Sequence, residues 1–494
     1  MSRQNSRVTR THEPAPRSGA PVPRVLPSTP PPLPAAADRA ALRQEARRVL
    51  LRNWTGTSTV PSHGLYPHQW SWDSAFIAIG LRHLSVRRAR LELETLTAAQ
   101  WGDGRIPHIV FNPAVPQGSY FPGPEFWQSS TAGAGSGAPR TVETSGIVQP
   151  PVHALAAWLV HRADPESSRR SGFLQRLHPR LEAWHRYLAE HRDLGGGGLV
   201  AAVHPWEPGM DNSPAWDGPL HRVEPVDLRS FRRADLDHGE VSDRPTDLDY
   251  GRYVRLAADY RDRGYRDTRP DGARPGHAFA VEDPGTNALL AASEDALAHI
   301  AREVRDTGRG NLGADPARHQ RRARELTAAM VDRLWDPATE LFHCRDLRAD
   351  TLLPERGAAG LLPLAAPTLP DDLARALVHT LTGPHFGLGG GVRMVPSHDL
   401  RGDAFDPDRY WRGPAWFNVN WLLERGLRQH GRTALADRLR HAVLETAGAS
   451  GFAEYVDPFT GDARGTRDFG WTAALTLDLL AGAPAGPGNA KENP

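Results

Sequence analysis

Along this chain, stretches in which apolar residues return every three or four positions alternate with stretches of Trp, Gly, Asp and Pro that have no period. The first periodic stretch starts near Ala40, where Leu42, Ala46, Val49 and Leu50 share one helical face. In residues 286–306, Leu289, Leu290, Leu297, Ile300, Ala301 and Val304 fall on one side. Similar spacing predicts helices at about 73–82, 86–101, 147–162, 171–192, 246–263, 318–334, 370–381, 415–430, 433–448 and 471–482. Strands are few, with short pairs expected near 198–204, 341–346 and 389–395. About twelve helices and little else regular imply an all-α fold. Six helical hairpins closed into a toroid, an (α/α)6 arrangement, would bury one face of each helix and leave loops at one end free for function.

Several segments interrupt the rhythm. Residues 1–38 carry nine prolines and scattered arginines, which reads as a disordered tail. Residues 39–482 then form a single domain, and 483–494 a loose C-terminus. Residues 121–140 are Gly-, Pro-, Ser- and Ala-rich loop. The stretch 212–245 is long, polar and rich in Arg and Asp, the usual character of a lid or binding loop.

Composition narrows the partners. Among 494 residues, 59 basic side chains face 58 acidic ones for a net charge of +1, so there is no electrostatic footprint for nucleic acid or an anionic membrane. All the basic residues but Lys491 are Arg. No run of about 18 apolar residues exists to span a bilayer. Cys344 is the only cysteine, which excludes an intrachain disulfide and favours a reducing compartment, the cytoplasm by default. Its plainest role is that of a small buried hydrophobe. A small polar ligand is the remaining expectation, and the sequence names no oligomeric state.

Two distant stretches suggest a reaction: His204-Pro-Trp206-Glu207-Pro-Gly209-Met-Asp211-Asn212 and Gly451-Phe-Ala-Glu454-Tyr-Val-Asp457-Pro. Each sets a carboxylate among the aromatic, Gly and Asn residues that stack on sugar rings and bond hydroxyls. A glycosidase needs such a pair, one carboxyl to protonate the leaving oxygen and one to activate water or attack. Asp211, on a turn beside an indole, is the acid candidate, since desolvation raises a carboxyl pKa. The plainer account is an Asx turn. Glu454, between aromatic residues, is costly to bury unless paired or working.

Other blocks of the same character surround these two. Tyr66-Pro-His-Gln-Trp70-Ser-Trp72-Asp73-Ser74 sits at a loop-to-helix junction, where Asp73 or Ser74 can cap the helix. In extended backbone Trp70 and Trp72 face opposite ways, one toward core and one toward ligand. Gln100-Trp101-Gly-Asp103-Gly104-Arg-Ile-Pro-His108 reads first as a helix stop. Gln149, before Pro150 and Pro151, can aim its amide into a cavity. Tyr410-Trp411-Arg412 precede a helix that Pro414 is expected to open, with Trp416, Asn420 and Trp421 on one face. Arg464-Gly-Thr-Arg-Asp-Phe-Gly-Trp471 opens the last helix.

Taken in order, these blocks resemble glycoside hydrolase family 63 and its bacterial relatives, the mannosylglycerate and glucosylglycerate hydrolases, from about Arg43 to Leu480. The resemblance implies an (α/α)6 barrel and an inverting mechanism, with Asp211 as general acid and Glu454 as general base. It places Trp70, Trp72, Asp73, Gln149, Trp206 and Trp411 in the sugar pocket, beside Tyr66 and Tyr410. It also makes Arg244 and Tyr250, in Arg244-Pro-Thr-Asp-Leu-Asp-Tyr250, the residues that hold a substrate carboxylate. Departures are the Pro-rich tail, the insert at 132–138, and Asp283-Pro-Gly-Thr-Asn287.

The expected substrate is therefore a small α-glycoside, glucosylglycerate first and an oligosaccharide α-glucoside second. A sugar epimerase would be expected to use paired histidines, but these blocks centre on carboxylates. A catalytically dead binder should have lost Asp211 or Glu454. HExxH, CxxC, GxxxxGK[ST] and GxSxG are absent, so neither cofactor nor metal is expected.

Overall fold

Nearly every periodic stretch is a helix in the computed structural model, which describes residues 36–227, 229, 231–237, 243–267, 276–306 and 314–482. The expected C-terminal tail lies outside these residues. So does the N-terminal one, except that the first helix already begins at Ala36. In chain order the α-helices are α1 (Ala36–Arg52), α2 (Ser71–Leu81), α3 (Val86–Ala98), α4 (Pro124–Trp127), α5 (His153–Ala163), α6 (Pro165–Ser171), α7 (Phe173–His191) and α8 (Asp217–Leu220). They continue with α9 (Asp247–Asp262), α10 (Pro284–Asp306), α11 (Pro316–Leu334), α12 (Asp371–Thr382), α13 (Phe417–Gln429), α14 (Thr433–Ala449) and α15 (Gly470–Ala481). Polar side chains start several of them: Ser85 accepts from the Arg88 backbone N–H, Asp315 from Ala317 and Thr246 from Asp249.

The packing closes into a ring. Going round, α2 packs on α5, α5 on α10, α10 on a 3-10 helix at Ala358–Ala365, that helix on α13, α13 on α15 and α15 back on α2. Outside this inner ring lie α1 against α15, α3 against α2, α7 against α5 and α10, α11 against α10, α12 against the 3-10 helix, and α14 against α13. Twelve elements thus make an (α/α)6 barrel. Burial follows the layers: every residue of α2 is buried, whereas α3 and α11 bury only the stripe that faces inward.

The twelve differ from the expected twelve in one member. The helix expected at 246–263 forms as α9 but stands outside the ring. Its place is taken by Ala358–Ala365, an apolar run with Pro363 inside and Leu361, Leu362 and Leu364 buried. A segment buried on all sides has no amphipathic period to read. The helix expected from 147 begins only at His153, because Pro150 and Pro151 hold the preceding residues extended. Pro414 does not open α13: Ala415–Trp416 is a strand, and the helix starts at Phe417. Asp73 and Ser74 do not cap α2 either. Its N-cap is Trp70, and Ser74 Oγ instead donates to Glu92 Oε1 at 2.8 Å.

Short strands fix the loops at one end. Tyr455–Val456 pairs with both Ala415–Trp416 and Ala463–Arg464, and Gln69–Trp70 pairs with Ile109–Val110. Ala201–Ala202, Val281–Glu282, Arg345–Asp346 and Thr351–Leu352 form a four-stranded sheet. The expected strand near 389–395 is reduced to an isolated bridge between Leu388 and Val392. Among the described residues no helix is long and apolar enough to cross a membrane.

Candidate active site

The loops carried by the inner helices meet in one pocket. Its walls include Tyr66, Trp70, Trp72, Asp73, Gln149, Trp206, Asp211, Tyr410, Trp411 and Glu454. The enclosed part of the pocket holds about 70 Å³, and about 510 Å³ when the open space at its mouth is included. Trp70 and Trp72 both line it, contrary to the alternation expected of extended backbone. Trp70 ends a two-residue strand and Trp72 already lies in the first turn of α2, so the change of backbone brings the two rings to the same cavity.

Glu454 is held on the ring side of the pocket. Its backbone N–H donates to the Thr466 carbonyl at 2.8 Å, which ties the residue to the arm opposite its strand. Its carboxylate accepts from Tyr66 Oη at 2.8 Å and from the Thr466 N–H at 3.3 Å. The neighbouring Gly465 has φ +64°, and a Cβ there would lie 2.5 Å from Glu454 Oε2. Only glycine leaves the carboxylate its place.

Asp211 sits on a turn that Gly209, at φ +70°, allows to lie flat on the Trp72 indole; a Cβ on Gly209 would meet Trp72 Cζ2 at 2.5 Å. Trp216 Nε1 donates to the Met210 carbonyl at 2.8 Å, and Arg412 bonds Asn212 Oδ1 at 3.3 Å and Asp217. Upstream, Glu207 is fully engaged. Arg192 grips it with two bonds of 2.7 and 2.8 Å, and the backbone N–H groups of Val203 and Val148 donate to it. Glu207 therefore anchors the loop and leaves Asp211 as its free carboxyl.

The environments of the two carboxyls differ. Burial pushes Asp211 up to about 7, reinforced by the charge of Glu454 and opposed by its own backbone hydrogen bond and Arg244. Glu454 is also raised by burial, but Arg244, Tyr66 and the Thr466 N–H all favour its ionised form. Asp73, in the first turn of α2, is raised well above the usual carboxylate range by burial, and further by the charges of Glu454 and Asp211.

Arg244 and Tyr250 do not line this pocket. Arg244 is buried just behind it, with its guanidinium 5.1 Å from the Tyr410 ring centroid and Nη1 3.4 Å from Tyr66 Oη. Its Nη2 is buried without a hydrogen-bond partner among the described residues. Tyr250 donates its hydroxyl to the Phe121 carbonyl at 2.9 Å and packs beside Trp206, with ring centroids 6.1 Å apart. Phe231 stacks on Phe121, at the start of the low-complexity segment, at 5.0 Å.

Further wall residues escaped the sequence reading. Tyr120, His108, Trp416, Phe469 and Trp471 also face the pocket. Trp411 stacks on Trp416 at 3.9 Å and 4°, and Trp416 on Tyr455 at 4.5 Å, so the aromatic floor is one continuous stack. His108, Trp416 and Trp471 belong to the blocks already quoted, and their density of aromatic residues was the available signal. Trp101 and Trp421 turn away: their indole N–H groups donate to Thr144 and Asp478.

Known proteins share this arrangement. A family model described as the mannosylglycerate hydrolase MGH1-like glycoside hydrolase domain matches residues 66–472. The mannosylglycerate hydrolase of Rubrobacter radiotolerans is 40% identical over 439 residues, spanning 88% of this chain and 96% of that protein. The glucosylglycerate hydrolase of Mycolicibacterium hassiacum is 39% identical over 447 residues, 89% of this chain and 97% of the relative. The crystal structure of a GH63 mannosylglycerate hydrolase from Thermus thermophilus in complex with Tris and D-glycerate matches with a TM-score of 0.78 at 39% identity, covering 88% of this chain and 99% of that one. With the matched region spanning most of the barrel and every pocket residue but Pro61, the chain belongs to the MGH1-like glycoside hydrolases of family 63 and is a glycoside hydrolase.

Proposed function

We propose that the enzyme hydrolyses the α-glycosidic bond of a glycosylglycerate with inversion, glucosylglycerate being the first reading and mannosylglycerate the second. The second is favoured by the names of the relatives from Rubrobacter radiotolerans and Thermus thermophilus, the first by the relative from Mycolicibacterium hassiacum. One observation carries the glycerate half of either reading. Arg244 is a buried guanidinium behind the two carboxyls, and its Nη2 has no partner among the described residues. A buried N–H without a partner is costly, and a substrate carboxylate is the acceptor that would relieve it.

The chemistry follows from the two environments. At neutral pH Asp211 is held partly protonated and gives its proton to the glycosidic oxygen as the bond from the anomeric carbon breaks. Glu454, whose ionised form Arg244, Tyr66 and the Thr466 N–H favour against its burial, takes a proton from water as that water attacks the opposite face of the sugar. Inverting pairs stand about 6.5–9.5 Å apart to leave room for the water. Glycerate leaves with its hydroxyl restored, and the sugar is released with its anomeric configuration reversed. Trp70, Trp72, Trp206 and Trp411 supply apolar faces for the ring, and Asp73 and Gln149 supply polar contacts for its hydroxyls.

Proton NMR of the purified enzyme with glucosylglycerate, mannosylglycerate and an uncharged glucosylglycerol tests the reading. The expected result is fast cleavage of one glycerate glycoside, slow or no cleavage of the glycerol analogue, and first appearance of the inverted anomer. Retention would overturn the mechanism, and equal rates on glycerate and glycerol glycosides would overturn the substrate.

A further inference from the structure

A second group of titratable side chains lies in the outer wall of the barrel, where none of its members lines the sugar pocket. Its ligand-type atoms belong to His178 and Glu182, one turn apart on α7, and to His319 on α11. All three atoms lie within 4.8 Å of one another. Glu182 Oε2 is 3.6 Å from His178 Nδ1, and Glu182 Oε1 is 3.5 Å from His319 Nε2. Those separations are long for hydrogen bonds. They run to the two different oxygens of one carboxylate, so Glu182 faces both imidazoles at once, near the ligand–ligand edge of about 3.3–3.6 Å that follows from tetrahedral coordination at about 2.0–2.2 Å.

The hydrogen bonding is that of a site short of one partner. His178 is fully buried, yet among the described residues neither of its ring nitrogens has a hydrogen-bond partner, and His319 Nε2 has none either. Such groups cost stability unless something accepts or donates. The other nitrogen of His319, Nδ1, is 2.6 Å from Glu294 Oε2 on α10, and His185 stands 3.1 Å from Glu294 Oε1. A carboxylate that holds one imidazole nitrogen so that the other faces inward is the usual support behind a metal-bound histidine.

We propose that His178, Glu182 and His319 bind one divalent transition-metal ion of the zinc class, which clamps α7 to α11 over α10. Two imidazoles and one carboxylate suit zinc or its neighbours, with water in the fourth position. A cleft bordered by His185, Glu294 and His319 opens toward exposed residues of α11 on the Glu294 side of the site. Arg186, Arg318, Arg321 and Arg322 stand at its rim and repel a cation, so the two carboxylates must outweigh them. In the absence of an ion, a proton on His319 between Glu182 and Glu294 does the same bridging.

The full-length protein, stripped with a chelator and titrated near pH 8, distinguishes ion from proton. Zn²⁺ is expected to bind at one equivalent by calorimetry and to raise Tm by several degrees. Co²⁺ should give the intense visible bands of a four-coordinate imidazole site. His178→Gln and Glu182→Gln should each lose that equivalent while hydrolase kcat stays at the wild-type value. Absence of binding at about 100 µM Zn²⁺ or Co²⁺, or the same binding in both variants, overturns the proposal. If a variant does not fold, the wild-type Co²⁺ spectrum decides: intense bands uphold the site and weak octahedral bands refute it.

Discussion

Tyr66 donates its hydroxyl hydrogen to Glu454 Oε1 at 2.8 Å, joining the loop before α2 to the bend that leads into the Tyr455–Val456 strand across 388 positions of sequence. The donor stabilises the ionised carboxylate, so its loss raises the Glu454 pKa. Tyr66→Phe removes a hydrogen bond to a charged group worth about 1.5–3 kcal/mol, equivalent to about one to two pH units. The acidic limb of the kcat/KM–pH profile is expected to move up by that amount while the basic limb stays. An unmoved acidic limb would mean that Glu454 is not the group titrating there.

Asp211 carries a prediction about stability as well as rate. Its folded pKa, about 7, is raised above the unfolded value near 3.8. Between those values the unfolded chain binds fewer protons than the native one, so this group's contribution falls as pH rises from about 4 to 7. Asp211→Asn cannot ionise and should be more stable than the wild type at pH 8, on the order of 1–4 kcal/mol, with the gap closing near pH 4. Its kcat should fall about 10²–10⁴-fold. Denaturant melts at the two pH values and a single-turnover assay check both halves.

Gly465→Ala tests how tightly Glu454 is placed. The new Cβ would stand 2.5 Å from Glu454 Oε2 and 2.6 Å from Tyr455 Cε1, at a φ of +64° that disfavours alanine. A carboxylate displaced by about 1 Å should lose about a hundredfold in kcat. KM should change little, and Tm should drop by only a few degrees. A crystal structure showing Glu454 unmoved, together with wild-type kcat, would contradict this.

Arg192 supports the Asp211 loop from beneath. It pairs with Glu207 at 2.7 Å and with Asp267 at 3.0 Å, all three side chains being buried. Arg192→Ala leaves Glu207 without its cation and Asp267 with only Arg105, 3.8 Å away, a loss of about 3–5 kcal/mol. Arg192→Ala with Glu207→Gln should regain part of it. Chemical denaturation of the single and double variants measures the difference.

The sequence exposed the site more fully than the ring. Aromatic and carboxylate blocks such as Trp70-Ser-Trp72-Asp73 stay contiguous in the fold, so reading them locally sufficed. Tyr120 was invisible because it enters the pocket from a loop whose course is set by tertiary contacts with His68 and Trp70. In the barrel, amphipathic outer helices such as α11 announced themselves by period. The segment Ala358–Ala365 did not, since burial on every side erases the period and Pro363 argues against a helix. Conversely, α9 has a readable stripe but uses it to cover the loops beside Trp206, through Tyr250 and Tyr253, instead of entering the ring.

Arg244 is the residue on which the proposed choice of a glycerate glycoside is tested. Its guanidinium is nearly buried, touches Tyr66 and Tyr410, and keeps Nη2 without a partner among the described residues. A planar fork in this state can grip a carboxylate through parallel hydrogen bonds. Arg244→Gln removes a charge-assisted contact of about 1.5–3 kcal/mol, so kcat/KM for a glycerate glycoside should fall about ten- to a hundredfold or more. The charge also steadies Glu454, which predicts a second, separable effect: the acidic limb of the pH profile should rise for every substrate. An uncharged glycoside assayed well above that limb removes the second effect and should lose little. Equal losses on charged and neutral glycosides at high pH would make Arg244 a support for Tyr66 and Tyr410, and the aglycone would have to be recognised elsewhere.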